Sequence, residues 1–340
     1  MTKDKTIGIL GGGQLARMMV LKAYDLGLTT FVLSENKLDP AAQVCTHWIK
    51  GSPSSAPMVR KFLAKVDVAT FESEFLDADL LGKLSRETKT PIHPSPKLMA
   101  TLQDRLPQKE LLLKHGLPTS PFVAVSNAKE AEAAFEKFDG QIVFKRRRFG
   151  YDGYGTFVVR NSKDLRNFTA TIAKEKSGFI GEKFVAFERE LAIVVGRSHN
   201  GDVASFPFVE TFQENSRCLW VKGPLAPTRE LGDLSERFTG FLNAIKYVGV
   251  MGIELFETRD GLLINELAPR VHNSAHYSLD ATSTDQFSMH LKCVLGMKIE
   301  KKPHAYTGGF AMLNLLGRSS KTPNFAKMPD DVKFHWYGKT

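Results

Sequence analysis

Two acidic residues, Glu254 in MGIELF and Glu266 in LLINELAPR, stand 12 positions apart on apolar runs joined by an Asp260-Gly261 turn. On consecutive antiparallel strands this spacing lets both carboxylates, with the Asn265 amide, face each other across the ladder. Carboxylate oxygens are the hard ligands that Mg²⁺ prefers, and Mg²⁺ bound to a nucleotide takes only one or two of them beside the phosphates. Lys145, Arg105 and the glycine-rich GYDGYG tip (Gly150 to Gly155) would then serve as phosphate partners. An ion pair with Arg270 accounts for the same carboxylates without a ligand. No Walker A loop occurs, which excludes a P-loop enzyme. Directly after Glu266, NELAPRVHNSAHYS packs Arg270, His272, Asn273 and His276 into seven positions. A guanidinium grips a planar oxyanion bidentately, and imidazole and amide add directional bonds. A core histidine explains either His alone; four polar groups without a helical stripe point to a site.

A second constellation lies at the start. In TIGILGGGQLARMMV, Gly11, Gly13 and Ala16 fit G-x-G-x-x-G/A between an apolar run and a helical pattern. Such a loop turns backbone N–H groups and the positive end of a helix dipole toward an anion. Glu35, about 20 residues on, would be the ribose acid if the anion were a dinucleotide; glycines serving only a tight turn account for the same pattern. Glu72 and Glu74 in TFESE stand just past a later strand, on the same rim.

These residues require particular elements beneath them. Strand TIGILG, helix Gln14 to Leu26, strand TTFVLS, helix PMVRKFLAKV and strand DVATFES alternate as in a parallel α/β sheet, whose ligands gather beyond the strands' carboxyl ends. Proline-rich PIHPSPK marks a boundary. Helix DRLPQKELLLKHG, helix AKEAEAAFEKF and the hairpin QIVFKRRRFGYDGYGTFVV follow and read as a small β-rich lid. Strands GFIGEKFV, ELAIVVGR and SFPFVE, helix LSERFTGFLNAIKYVG, and strands VMGIELFET and LLINELAPR complete the chemistry-bearing part. The fold class is thus α/β, with expected divisions at 1–98, 99–181 and 182–340.

The 340 residues suit two or three domains, and 42% hydrophobic with 24% charged residues is a globular balance. No tract approaches the length of an uninterrupted membrane span, and MTKDK runs into a strand without a signal-like apolar region, so a cytoplasmic protein with no membrane partner is expected. Three widely spaced cysteines make neither a disulfide framework nor a metal cluster. The net charge of +9 suits an anionic ligand. Its densest run, KRRR at Lys145 to Arg148, lacks the aromatic interleaving of an RNA-binding surface, so no nucleic-acid partner is expected.

GGGQLARM, TFESE, DRLPQK, GYDGYG, YVGVMGIELF and NELAPRVHNSAH occur in this order, and by them the chain closely resembles the N5-carboxyaminoimidazole ribonucleotide synthetases, ATP-grasp enzymes of purine synthesis, along nearly its whole length. The resemblance implies an ATP-grasp fold: a parallel N-terminal domain, a β-rich lid and an antiparallel catalytic domain. It implies a reaction of 5-aminoimidazole ribonucleotide, bicarbonate and ATP, and a first domain that holds the ribotide and not NAD. Gln14 and Leu15 would meet the ribotide, Glu72 its sugar or base, and Lys339 its phosphate. Arg105, Lys145, the loop Gly150, Tyr151, Asp152, Gly153, Tyr154, Gly155 and Thr156, then Glu182, Lys183, Glu190, Gln213, Asn265 and Glu266 would surround ATP, with Phe184 and Val185 against adenine. Glu254 and Glu266 would carry Mg²⁺; Arg270, His272 and Asn273 would hold bicarbonate, and Asp152 would orient the amine. A homodimer is expected on the same ground. Another ATP-grasp carboxylate–amine ligase, an inactive relative and a basic binding protein are the alternatives.

The chain departs from the family loop, which reads close to GGYDGRGQ: Phe149 stands at a glycine, Tyr154 at a basic residue and Thr156 at a glutamine. Arg148 is a candidate to compensate for the lost charge. Gln213 stands where histidine is frequent, Ser34 and Glu35 replace an aspartate-containing strand end, and the arginine expected soon after Lys339 is absent.

Overall fold

The first strand's residues are short, apolar and followed at once by glycine, which sets the opening topology. In the computed structural model, which describes residues 5–150, 154–172, 175, 177–214, 217–315 and 331–338, this segment forms β1 (Thr6–Leu10), α1 (Gln14–Asp25), β2 (Thr29–Ser34), β3 (His47–Lys50), α2 (Ala56–Leu63), β4 (Val68–Phe71), α3 (Ala78–Thr88) and α4 (Pro96–Leu102). The strands pair in parallel in the order β3-β2-β1-β4. HWIK at β3 is a strand the apolar pattern does not announce, because a four-residue edge strand with no buried residue carries little signal.

The lid begins after α5 (Arg105–Lys114) with β5 (Phe122–Val125), α6 (Ala128–Lys137), β6 (Ile142–Arg146), β7 (Thr156–Val159), α7 (Ser162–Ile172) and β8 (Phe179–Lys183). Its antiparallel sheet runs β5-β8-β6-β7 over a core that stacks Phe144 on Phe168 at 4.0 Å. The expected division at 181/182 falls inside β8, so Glu182 and Lys183 stand on a lid strand. Conversely, Leu112 of α5 packs into the core of the following sheet.

That larger sheet takes β9 (Arg189–Arg197), β10 (Val203–Ser205), β11 (Val209–Glu214), β12 (Arg217–Gly223), α8 (Arg229–Ala244), β13 (Gly249–Thr258), β14 (Gly261–Ala268), α9 (Ser278–Ala281), α10 (Gln286–Leu295) and β15 (Phe310–Leu313). Its order is β14-β13-β9-β11-β12-β15, with β10 on β9, and all pairings are antiparallel. SFPFVE thus splits between two strands, since Pro207 lacks a ladder N–H. β9 explains why its sequence reads as an unbroken apolar run: Leu191, Ile193 and Val195 face α8, while Ala192 and Val194 face a core shared with α1 and α10. Among the described residues no helix is long and apolar enough to cross a membrane.

The first sheet and the large one are therefore joined through a common core, and a buried polar strut crosses it. Val250 N–H donates to His290 Nδ1 at 3.2 Å, which leaves the ring proton on Nε2 to be donated to Thr70 Oγ1 at 2.7 Å. Gly249, at φ +122°, starts β13 directly against this ring, where a Cβ would lie 2.9 Å from His290 Cε1.

Burial holds His290 neutral, its pKa pushed down to about 3, with His93 adding repulsion. A histidine whose folded pKa is depressed takes up its proton only in the unfolded chain. Its stabilisation is complete above the unfolded value of 6.5 and is lost progressively as pH falls from there toward about 3. The urea midpoint is accordingly expected to fall between pH 7.5 and 5, and to fall less in His290→Asn, which cannot titrate. A wild-type midpoint that is level over this range would contradict the strut.

Candidate active site

The active-site cleft starts from an irregularity in the ladder. Residues of β13 and β14 near the turn pair so that Leu255 meets Ile264, but Glu254 meets Glu266, so Asn265 is an inserted bulge residue. Strict alternation would put Ile264 and Glu266 on one face. The bulge instead sends Ile264 into the core and turns Asn265 and Glu266 together toward Glu254. Asn265 Nδ2 donates to Glu254 Oε2 at 3.3 Å, and Asn265 Oδ1 accepts from Lys145 Nζ at 2.9 Å. Lys145 comes from β6, so this one amide ties the lid to the carboxylate pair.

Cations answer the carboxylates from two elements. Arg105, at the start of α5, sets Nη1 2.6 Å from Glu266 Oε2, and the negative neighbours raise its pKa although burial works against the charge. Lys145 Nζ lies 3.2 Å from Glu182 Oε1. The other Glu182 oxygen is 2.9 Å from Lys109 Nζ and accepts from Ser120 Oγ at 2.8 Å. Burial would raise Glu182, but Lys145 and Lys109 override it and pull its pKa down to about 2. Lys109 is 2% exposed, and burial pushes it down to about 8. Lys109 is a site residue that sequence reasoning missed; its signal was the spacing Arg105, Gln108, Lys109, which puts three polar side chains on the inner side of one helix.

Glu254 has no lysine or arginine within ion-pair reach among the described residues; burial, then repulsion from Glu266 and Glu190, raises its pKa. Gln213 Nε2 stands 3.5 Å away, at the limit of a hydrogen bond. His272 approaches from beyond β14. Its Nδ1 accepts from Ser274 N–H and meets Ser274 Oγ at 2.8 Å, leaving the proton on Nε2, 3.6 Å from Glu254 Oε1. Burial and the Arg270 charge push its pKa down to about 3, so the ring is neutral. His276, by contrast, packs on Phe287, and its Nδ1 accepts from Gln286 Nε2 at 2.9 Å.

Arg270 is not paired with Glu254 or Glu266. Its Nε and Nη2 grip Glu74 bidentately, and Nη1 donates to Val271 O at 3.1 Å. The pair welds the rim of the first sheet to the catalytic strand. Asn273 Oδ1 accepts from Asn314 Nδ2 at 3.1 Å. Glu190, on β9 opposite Phe256 and Thr211, is raised by burial. Phe184 follows β8, donates its N–H to Gln141 O at 3.1 Å and carries the Arg160 guanidinium 4.9 Å over its ring. Lys183 N–H bonds Pro121 O, and Val185 is the next residue of this hinge. Thr156 opens β7 opposite Lys145, and Gly155 (φ +84°) presses on Arg146, as a Cβ there would meet Arg146 Cδ at 2.7 Å. Gly150 lies against Arg105. Tyr151, Asp152, Gly153 and Lys339 lie outside the described residues.

Two expectations change. The glycine loop does turn N–H groups toward an anion, but that anion is Glu72: its carboxylate accepts from Gly13 N–H and, at 3.2 Å, from Ala16 N–H. A Cβ on Gly11 or Gly13 would come within 2.7 Å of Glu72 oxygens, so the glycines make room for this internal cap, and Gln14 and Leu15 begin the helix it caps. Glu35 is exposed and makes no such contact. The KRRR run is likewise committed: Arg147 grips Asp104 at 2.9 and 2.7 Å and Arg148 adds 3.3 Å, which draws Arg148 to the α5 cap and away from the role of a substitute phosphate ligand.

The family models for the ribonucleotide synthetase preATP-grasp domain and the ATP-grasp domain match residues 4–103 and 110–287. The N5-carboxyaminoimidazole ribonucleotide synthase of Synechococcus elongatus is 37% identical over 98% of this chain and 85% of its own. The chain belongs to this family of ATP-grasp synthases. The crystal structure of the synthetase from Thermus thermophilus superposes with a TM-score of 0.88 at 32% identity, over 98% of this chain and 89% of that one. The Aspergillus clavatus synthase in complex with ADP and 5-aminoimidazole ribonucleotide gives 0.82 at 29% identity, over 93% and 83%. The paired carboxylates stand on the large antiparallel sheet, Lys145 on a strand of the lid and Lys109 on α5.

Gly252, two residues before Glu254, is the gap into which His272 fits: a Cβ there would lie 2.5 Å from His272 Cβ. Gly252→Ala is expected to lower stability by about 1–3 kcal/mol through overpacking and to displace His272. Chemical denaturation and turnover measured side by side check this; a variant as stable and as active as wild type would remove the contact.

Proposed function

We propose that the chain joins bicarbonate to the exocyclic amine of 5-aminoimidazole ribonucleotide at the expense of ATP, forming N5-carboxyaminoimidazole ribonucleotide, ADP and phosphate. The observation that carries the proposal is the opposed Glu254–Glu266 pair with Lys145 and Arg105 beside it, in a chain of this family. A cytosolic site of action and a homodimer accompany the reading, the latter from the resemblance alone.

The residues fit Mg²⁺. Among the described residues no cluster of three or more His, Cys, Asp or Glu side chains is arranged for a metal, yet nucleotide-bound Mg²⁺ needs only one or two carboxylates. Glu254, whose pKa is raised first by burial and then by the repulsion of Glu266 and Glu190, is the oxygen donor whose charge a divalent ion would relieve. When bound with ATP, the ion would neutralise charge on the transferring phosphoryl group.

The chain's own groups supply the rest. Lys145 and Arg105, already oriented by Glu182, Asn265 and Glu266, would present positive charge to the phosphates with little reorganisation. Phe184 and Val185 would border the adenine, and Glu190 the ribose side. Three of the five Arg270 N–H groups are taken by Glu74 and Val271 O, and the remaining two, with neutral His272 and the Asn273 amide, would hold bicarbonate and the carboxyphosphate formed from it. Asp152 would orient the amine. Glu72, engaged by the glycine-loop amides, would turn toward the ribotide only as that loop is relieved of it, so we assign the ribotide phosphate to Lys339 and not to the loop.

The decisive assay is phosphate release in the presence of ATP and Mg²⁺: it should require both bicarbonate and the aminoimidazole ribotide, and release independent of either would sink the assignment. Glu266→Gln should abolish Mg²⁺-dependent turnover while leaving the circular-dichroism spectrum intact. Unchanged turnover at limiting Mg²⁺ would take Glu266 out of the metal site. Lys109→Met, which leaves Glu182 with Lys145 and the Ser120 hydroxyl, should raise the ATP KM about tenfold or more, the loss of one charged hydrogen bond, with the ribotide KM little changed; equal effects on both would deny it this role.

A further inference from the structure

Phe149 is the one departure from the family loop whose backbone is under strain. Its φ is +59°, the left-handed region that a residue with a Cβ seldom occupies, and the residue is 58% exposed. A non-glycine residue persists in such a conformation only where its surroundings over-determine it. Here they do. The strap ahead of it is fastened to the start of α5: Arg147 and Arg148 hold Asp104, and Arg105 N–H donates to Arg147 O at 3.0 Å. Behind it, Gly150 rests on the Arg105 guanidinium, 3.4 Å from where a Cβ would be. The left-handed turn between these anchors swings the ring outward to Phe75, with centroids 6.0 Å apart and planes tilted by 37°. That is a normal aromatic pair geometry.

The partner's position gives the contact its meaning. Phe75 directly follows Glu74, which grips Arg270, while Phe149 ends the strap that begins with Lys145 on β6. The two rings, with Glu74, Arg105 and Glu266, line one small cavity. The pair therefore spans from the lid to the rim of the first sheet, with one arginine–carboxylate pair behind each ring. A glycine, as in the family loop, would take the same turn without strain and leave the gap open.

We propose that Phe149 and Phe75 are positioning residues that clasp the lid strap to the ribotide-side rim, holding Lys145 and Arg270 in one frame so that activated bicarbonate meets the amine before water does. The proposal rests on the ligase reading above. Its consequence is coupling: with the clasp gone, ATP is still cleaved, but less of the activated carboxylate is captured.

The test compares Phe149→Gly, Phe75→Ala, the double variant and Phe149→Tyr in the full chain. Two quantities are read: phosphate released per ribotide carboxylated, and hydrogen exchange at the amides of Arg146 and Arg147, which are bonded to Gly155 O and Gly178 O. Either single variant should raise the uncoupled fraction and the exchange rate about three- to tenfold, the range for one aromatic pair. ATP KM should stay level, Phe149→Tyr should restore coupling, and the double variant should do no more than either single one. Phe149→Gly should not lower the melting temperature, since it removes the strain along with the ring. Unchanged coupling and exchange in both single variants, or additive effects in the double, would overturn the clasp. If wild type shows no ribotide-dependent turnover, the ligase reading fails by itself, and the exchange rates still decide the clasp: a rise in both single variants supports it and none refutes it.

Discussion

Two carboxylates stand opposite each other across β13 and β14, and their mutual repulsion governs what must surround them. Like charges directly opposed on a ladder are unfavourable unless something positive is brought between or beside them. The chain meets this with groups from distant elements: Arg105 from α5 on Glu266, and Lys145 from β6 through Asn265 on the Glu254 side. Glu182 and Lys109 then keep Lys145 oriented from behind. Glu254 retains a raised pKa because it is buried and then because Glu266 and Glu190 repel it, and no lysine or arginine among the described residues pairs with it. An arrangement that is deficient in positive charge at one carboxylate and rich in lysine and arginine beside it suits a ligand that carries both a cation and phosphates.

The same economy of charge shapes the junction with the first sheet. Arg270 and Glu74 form a part-buried bidentate pair between the two units, and Glu72, on the same rim, caps α1 through Gly13 and Ala16. Neither carboxylate is surface decoration. Both are close to full use inside the protein, Glu74 on Arg270 and Glu72 on the loop amides. The neutral His290 strut and the shared core of α1 and α10 make this rim continuous with the catalytic sheet.

The lid differs from its family in side chains that the fold has absorbed. Tyr154, at a position where a basic residue is usual, lies under the Arg146 guanidinium at 4.7 Å. Arg146 points to the opposite face of β6 from Lys145, since successive strand residues alternate, so this stack braces the back of the loop. Arg147 and Arg148 go to Asp104. Of the four basic residues in the run, Lys145 is the one that reaches Glu182 and Asn265, while Arg146 pairs with Glu175.

The local pattern of the chain was sufficient for the kinds of element and for the opposition of Glu254 and Glu266 across one ladder. Strand and helix periods in residues 6–71, the Asp260-Gly261 turn and the order of the motifs determined a parallel α/β unit followed by an antiparallel one carrying Glu254 and Glu266, because those features depend only on neighbours in sequence. Other features depended on contacts between segments far apart. The bulge at Asn265 changes strand parity, and a 12-residue spacing cannot reveal an inserted residue. Whether the glycine loop holds a ligand or Glu72 depends on a residue 59 positions away, and the partner of Arg270 lies 196 positions away. Burial of Lys109 and the aim of Arg147 and Arg148 were equally silent, since a charged residue in a helix or a basic run reads as solvated until tertiary packing puts a carboxylate beside it.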